Sequence, residues 1–459
     1  MSAKRRSAEA SVGARERGVP DSLLEARKRR NGRAKARREG SPRRSSLRGA
    51  VKGGATATPA PGLTSGGYAI LAVTLIMFLY GMVMIFSASS GLAFHIHGSS
   101  YYYLLRQAVW FGVGLIALVA LALTDYHRVA KASPLIVLVS LVALAAVPFV
   151  GTEAYGSTRA IAIGPMVFQP SELAKMALVI YAAYMYEKRG RKPESWRDIF
   201  YPVLMVTALA CILIIIEPDL GSMVIAGISV FAVLYLAGAP LSRLALLGVT
   251  GLGATAIFIV TSSYRKARFM AFMDPWSVPR EGGFHIIQSM VALGSGSISG
   301  LGLGMSRQKF FYLPNAHTDF IFSIIGEELG IIGTLAVLTL FAVFICLGFK
   351  VARRAPDGLG RLMAMGIICM VGIQALVNMG AATGILPITG VTLPFFSYGG
   401  SSLVICMCLA GILINVSRQQ AEMEISQDRR KARESGDMRR RHGRPPPPPS
   451  RSRRRTEVA

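Results

Sequence analysis

The feature that most limits what this chain can become is a block of ten apolar runs between residues 67 and 417. A helix of about 20 apolar residues crosses a hydrocarbon core of about 30 Å. The runs fall near 67–89, 101–123, 133–150, 168–187, 200–216, 219–237, 241–261, 320–349, 361–383 and 399–417. They are too long for the strands of a membrane barrel and lack the alternation such strands need. Because backbone polar groups in lipid must be satisfied internally, helices are expected. The fold class is therefore an all-α polytopic membrane protein of about ten transmembrane helices. No cleavable signal peptide pattern opens the chain, so the first span is expected to serve as the insertion signal.

Charge divides the remainder. Residues 1–66 hold 17 Lys/Arg against 5 acids and 418–459 hold 13 against 6, so most of the formal charge of +26 sits in two tails flanking a 67–417 membrane domain. Both tails have the composition of disordered segments. Anionic membrane lipids are their expected contact, and no nucleic acid is expected. The connections around 127–131, 187–198, 243 and 350–361 carry 12 Lys/Arg, whereas those at 90–100, 217–219 and 384–398 carry none. By the positive-inside rule both termini are cytoplasmic. A large ordered extracytoplasmic loop, 262–319, then joins spans 7 and 8. The five cysteines all fall in spans without metal-ligand spacing and read as small buried residues.

On the extracytoplasmic side the polar residues become informative. The 262–319 loop holds Arg265, Lys266, Arg268, Arg280, Arg307 and Lys309, which suits an anionic ligand, although the first three also suit lipid headgroups. Within it, 282–305 reads as a short amphipathic helix followed by a flexible Gly/Ser run on the surface. At 168–175 Pro170 opens a helix and Glu172 sits in its first turn. Lys175 lies a turn deeper, where it needs either Glu172 as partner or a watery cavity. Asp219, in the turn "IEPDLGS" (216–222), reads as a helix cap. In "LPNAHTDFIFSIIGEELG" (313–330), Asp319, Ser323 and Glu327 are spaced by four on one helical stripe, with Glu327 about 12 Å deeper than Asp319. Acids at such depth must face the bundle interior or a wet cavity. Asp319 itself reads either as a helix cap or as a functional acid at the mouth.

The segments "FQPSELAK" (168–175), "EPDLGS" (217–222), "HIIQS" (285–289), "GLGLG" (300–304), "LPNAHTDFIFSIIGEELG" and "LPITGVTLPFFSYGGSS" (386–402) resemble, in order, the motifs of the SEDS family (shape, elongation, division and sporulation). The resemblance covers the membrane block and favours the cell-division branch over the elongation branch. The family usually has Arg-Trp where this chain has Arg159-Ala160, and often Tyr where it has Phe284.

The resemblance implies a peptidoglycan glycosyltransferase that polymerises lipid II at the outer face of the cytoplasmic membrane, at the division septum. Its implied partners are a class B penicillin-binding protein (transpeptidase) and other division proteins. Asp319 matches the family's essential acid and is the expected general base. Lys175, Arg159, Gln288, Arg265, His317, Glu327, Glu328 and Ser401 are the expected substrate-binding residues. A divalent cation, Mg2+ or Mn2+, is the expected helper of the leaving diphosphate, and no organic cofactor is expected. Two other classes compete: a lipid II flippase, which intramembrane charges also suit, and a non-catalytic division scaffold.

Overall fold

The computed structural model describes residues 64–442 apart from 155–156, 165, 191–192, 262 and 281. Most of the N-terminal tail and the stretch 443–459 lie outside the described residues.

All ten expected spans are helices. They are α1 (Ser65–His97), α2 (Tyr102–Leu123), α3 (Tyr126–Val150), α4 (Pro170–Arg189), α6 (Met205–Ile216), α7 (Leu220–Leu236), α8 (Leu241–Val260), α11 (Ile321–Arg353), α12 (Gly358–Ala382) and α13 (Gly400–His442). Seven of these are long and apolar enough to cross a membrane unaided. The others, α4, α6 and α7, are shorter or more polar. A short α5 (Trp196–Ile199) precedes α6, while α9 (Ser263–Met273) and α10 (Phe284–Ser295) lie between α8 and α11.

Helix ends follow local chemistry. Thr64, Asp219 and Asp357 cap α1, α7 and α12 through their side-chain oxygens, and α4 begins with Pro170 and stops at left-handed Gly190. The centre of the bundle is α12 and α13 with α4, whose residues from Ala174 to Ala183 are almost all buried. Helix α13 runs on to His442, so the first part of the basic C-terminal segment, expected to be disordered, is helical.

Three further departures matter to the site. First, 152–168 forms a small antiparallel sheet, β1 (Thr152–Ala154), β2 (Ser157–Ile163) and β3 (Met166–Phe168), within the otherwise helical fold. Thr152 pairs with Ala160 and Ile161 with Phe168, which places Arg159 on the central strand. Second, α11 begins at Ile321, after a series of turns, so Asp319 precedes the helix and does not cap it. The stripe expected through Asp319, Ser323 and Glu327 is helical only from Ser323 inward.

Third, the Gly/Ser run after α10 is not a loose surface strand. It inserts beside α11, where a Cβ on Gly296 or Gly300 would collide with the backbone of Gly326 and Glu328. Helix α11 is broken at Gly330 (φ 66°, ψ −158°), and its freed groups bond to the inserted run. Leu301 and Gly302 donate to the carbonyls of Glu327 and Glu328 at 2.9 and 3.0 Å, and Ile331 donates to Ser297 at 3.1 Å. Non-helical backbone at this depth is tolerable where freed groups find protein partners, as these do. Glycine is required for the close approach, and that requirement resembles flexibility in a bare sequence.

Candidate functional site

A cavity of about 440 Å³ opens at the end of the bundle that carries the sheet and the 262–319 segment. Its walls come from α2, β2, the turns before α11 and the 388–402 segment. Tyr102, Tyr103, Trp110 and Tyr398 supply aromatic faces, and Arg106, Arg159 and Arg268 supply cations. Asp319 is the one carboxylate among its described lining residues.

Local structure fixes that acid. Ser397 Oγ donates to the carbonyl of Thr318 at 2.6 Å, Tyr398 N donates to that of His317 at 2.9 Å, and Asn378 Nδ2 donates to that of Asp319 at 2.8 Å. The backbone on which Asp319 rides is thus tied to 391–398 while its carboxylate faces the cavity. Burial pushes the carboxyl of Asp319 up to about 6. Arg159 opposes the rise, Asp219 adds to it and Arg268 opposes it. A carboxylate in that range is ionised near neutral pH yet basic enough to accept a proton.

Arg159 stands across from it. Its Nη2 donates to the carbonyl of Pro218 at 3.0 Å. A Cβ placed on Gly390 (φ 68°) would lie 3.0 Å from Arg159 Nη1 and 3.8 Å from Asp319 Oδ2, so the cation and the acid border the same open space. Ala160 also lines the cavity, and its small side chain leaves room there.

A second, more apolar cavity of about 460 Å³ adjoins the first. Arg159, Arg268, His285 and Ile388 line both. Arg265 lines only the second, where its Nε donates to the carbonyl of Phe258 at 3.0 Å and its guanidinium lies 3.6 Å from that ring's centre. The floor here is apolar: Leu220, Val224, Ile259 and Leu386.

The other expected substrate-binding residues divide. Ser401 lines the first cavity and ties β3 to α13, accepting from Gln169 N at 3.0 Å and donating to Val167 O at 2.9 Å. His317 is buried between Tyr103 and Tyr398, and burial lowers its imidazole to about 4, so it is neutral and supplies no cation. Gln288 is half-buried on α10 and lines neither cavity.

Lys175 stands apart from both cavities. It is fully buried, with Nζ 2.9 Å from Glu172 Oε1 and 2.9 Å from Gln374 Oε1. The structural pair weighed for Lys175 is what the geometry contains. Glu327 accepts from Ser306 Oγ at 2.5 Å and Arg307 N at 2.9 Å, and Glu328 pairs with Lys309 at 3.0 Å and accepts from Ser87 Oγ. These two acids anchor the inserted segment and line neither of the two cavities.

Some lining residues were not singled out from sequence. Tyr102, Tyr103, Trp110 and Arg106 lie on α2, which reads as an ordinary span, and Tyr398 lies in the turn before α13. Among the described residues no group of three or more His, Cys, Asp or Glu is placed to hold a metal ion. With one carboxylate at the cavity, the residues present do not fit a resident divalent cation.

The fold and this cavity define a class: a polytopic helical membrane protein whose polar centre is one carboxylate faced by arginines, next to an apolar recess. Residues 68–422 match the family FTSW_RODA_SPOVE, described as "Cell cycle protein", and the chain belongs to that family. It is 38% identical over 357 residues to "Stage V sporulation protein E" of Bacillus subtilis (strain 168), covering 77% of this chain and 98% of that protein. It is 39% identical over 350 residues to "Probable peptidoglycan glycosyltransferase FtsW" of Geobacter sp. (strain M18), covering 76% and 95%. Among solved structures it is similar to a chain from "Structural coordination of polymerization and crosslinking by a peptidoglycan synthase complex", with TM-score 0.63, 29% identity and coverage of 78% and 98%. It is also similar to the Thermus thermophilus rod shape determining protein RodA, with TM-score 0.57, 28% identity and coverage of 77% and 97%.

Proposed function

We propose that this chain is a peptidoglycan glycosyltransferase that polymerises lipid II into glycan strands at the outer face of the cytoplasmic membrane during cell division. The observation that carries the reading is Asp319, the one carboxylate among the described lining residues of a cavity that also holds arginines and has an apolar recess beside it. Family membership and the names of the relatives support it.

The acceptor's sugar hydroxyl attacks the donor's anomeric carbon. The bond from that carbon to the diphosphate oxygen breaks, undecaprenyl diphosphate leaves with the electron pair, and the configuration inverts. Asp319 takes the hydroxyl proton, the role for which its raised pKa suits it. Arg159 and Arg268, shared by the two cavities, face the charge that builds on the diphosphate, and Arg265 extends the cationic wall into the recess. The apolar recess suits the first isoprene units of the donor. A divalent cation belongs to this reading only as a companion of the diphosphate, and no step depends on one.

The topology in this reading places both termini in the cytoplasm, because the basic connections lie at the opposite end from the cavity. Its protein partners are a class B penicillin-binding transpeptidase and other division proteins, and the basic tails contact anionic lipids. The test is to give purified protein, with and without the transpeptidase, labelled lipid II and to resolve the products. Glycan strands that disappear with Asp319→Asn support the reading. Translocation of lipid II without strands replaces it with a flippase, and neither activity replaces it with a scaffold.

A further inference from the structure

Two amide side chains on α12, Gln374 and Asn378, are one turn apart and each only 2% exposed. Neither lines either of the two cavities described above. An amide at this depth in a membrane span needs hydrogen-bond partners, and here the partners are the two backbone segments that build the catalytic cavity. Asn378 Nδ2 donates to the carbonyl of Asp319 at 2.8 Å and to that of Val391 at 2.7 Å. Gln374 Nε2 donates to the carbonyl of Thr392 at 3.1 Å, and its Oε1 accepts from Lys175 at 2.9 Å.

We infer that Asn378 is a positioning residue that sets Asp319 against Arg159 across Gly390, and that the buried Lys175–Glu172 pair holds Gln374 so that it pins the adjoining stretch of the same wall. The inference rests on Asp319 being the base. One amide group, through both its hydrogens, fixes the segment that carries the base and the residue next to Gly390. Gly390 is the point that Arg159 Nη1 and Asp319 Oδ2 both approach. Thr392 continues the wall, its hydroxyl 2.9 Å from that of Ser402. The wall and the acid are therefore located by one rigid helix, and the Lys175 charge acts on the site through Gln374 without touching substrate. Two bonded carbonyls at one amide leave little freedom for the base to drift, and a displacement of about 1 Å at a reacting group costs on the order of 10²-fold in rate.

The positioning role separates from a packing role by what changes in the folded enzyme. With Asn378→Leu, the full-length protein should show kcat lowered about 10²-fold with KM for lipid II within about twofold of wild type. The acid limb of its rate profile should also move to lower pH, because a loosened Asp319 gains water and its raised pKa relaxes downward. Asn415→Leu is the control. It removes an equally buried amide whose Nδ2 donates to the carbonyls of Leu121, Ala122 and Thr124 at the other end of the bundle. It should change the yield of folded protein but neither kcat nor the acid limb.

Asn378→Ser, which keeps one donor in a smaller volume, should fall between Asn378→Leu and wild type. Folded Asn378→Leu that turns over with wild-type kcat and an unshifted acid limb overturns the inference, and so does failure of both variants at position 378 to fold, since the residue then serves folding alone. Asp319→Asn run alongside separates the two levels. Full activity there removes the base itself, whereas an inactive Asp319→Asn beside a normal Asn378→Leu removes only the positioning role.

Discussion

Asp319 and Arg159 border one open point: a Cβ on Gly390 would sit 3.8 Å from the acid's Oδ2 and 3.0 Å from the guanidinium's Nη1. The two side chains come from distant parts of the chain, one from the turn before α11 and the other from the central strand of a small sheet. Gly390 leaves the space between them clear. An incoming hydroxyl and a departing diphosphate oxygen need an acceptor and a cation near the reacting carbon, and in the proposed reading Asp319 and Arg159 supply them.

Asp319→Asn is expected to lower lipid II polymerisation by on the order of 10²–10⁴-fold, the usual contribution of a positioned base. The amide has nearly the same shape, and Asp319 caps no helix, so the folded yield should be unchanged. In the wild type the base must be ionised, and burial raises its carboxyl to about 6. Activity should therefore hold above that pH and fall about tenfold per unit below it, as gel-resolved strand synthesis across a pH series would show.

Lys175→Met should lower stability as well as release Gln374 at the wall of the site. The change leaves Glu172 as a buried charge without its cation, for which the cost is about 3–5 kcal/mol. Thermal unfolding in detergent should show a large loss, and adding Glu172→Gln should recover part of it by removing the orphaned charge. A Lys175→Met protein with wild-type melting and selectively weakened diphosphate affinity would restore Lys175 to the role of a direct ligand.

Legibility followed the strength of the physical constraint. The ten spans were plain because lipid allows a helix and little else, and Asp319 stood out because an acid there needs a reason. The depth of Lys175 was readable, but its partner Gln374 lies 199 positions further along, and nothing local announces that pairing. Glycines 296 and 300 looked like a flexible run because sequence does not distinguish a glycine needed for close approach from one that is merely permissive. Asn378 was missed for a simpler reason. One amide in an apolar span offers no pattern, and its meaning lies in the two carbonyls that it joins.

Glu327→Ala should loosen the inserted segment rather than alter the chemistry directly. The carboxylate takes the hydroxyl of Ser306 and the amide of Arg307, and removing it leaves buried donors at a cost of about 1–3 kcal/mol. Limited trypsin digestion should cut after exposed Arg307 about tenfold faster than in the wild type, as the open form becomes more populated. Unchanged cleavage would mean that the glycine contacts with α11 suffice to hold the segment.

Glu217 offers a test of pH-dependent stability. It is 1% exposed, neither carboxylate oxygen has a hydrogen-bond partner among the described residues, and burial, with Asp219 adding to it and Arg159 opposing, raises its carboxyl to about 8. A folded-state pKa above the ordinary value of 4.5 means that its contribution is fully present below that value and is lost as pH rises through about 8. Glu217→Gln, which cannot ionise, should remove this part of the decline, so the variant should melt higher than the wild type at pH 8 and alike at pH 4.5. Parallel melting curves across that range would show that Glu217 stays ionised and finds a partner.

Arg159→Gln brings the two halves of the site together in one measurement. Arg159 opposes the rise of the Asp319 carboxyl, so its removal should move the acid limb of the rate profile to higher pH, opposite to the shift expected for Asn378→Leu. It should also lower kcat by on the order of 10²–10³-fold, because a cation facing the developing charge on the diphosphate is lost from a partly dry site. Both effects follow from one geometry, so they must appear together. A lowered kcat with an unmoved acid limb would place Arg159 on the diphosphate but too far from Asp319 to influence it. A moved limb with near-normal kcat would leave Arg268 and Arg265, the other guanidinium groups of the recess, to carry the leaving group.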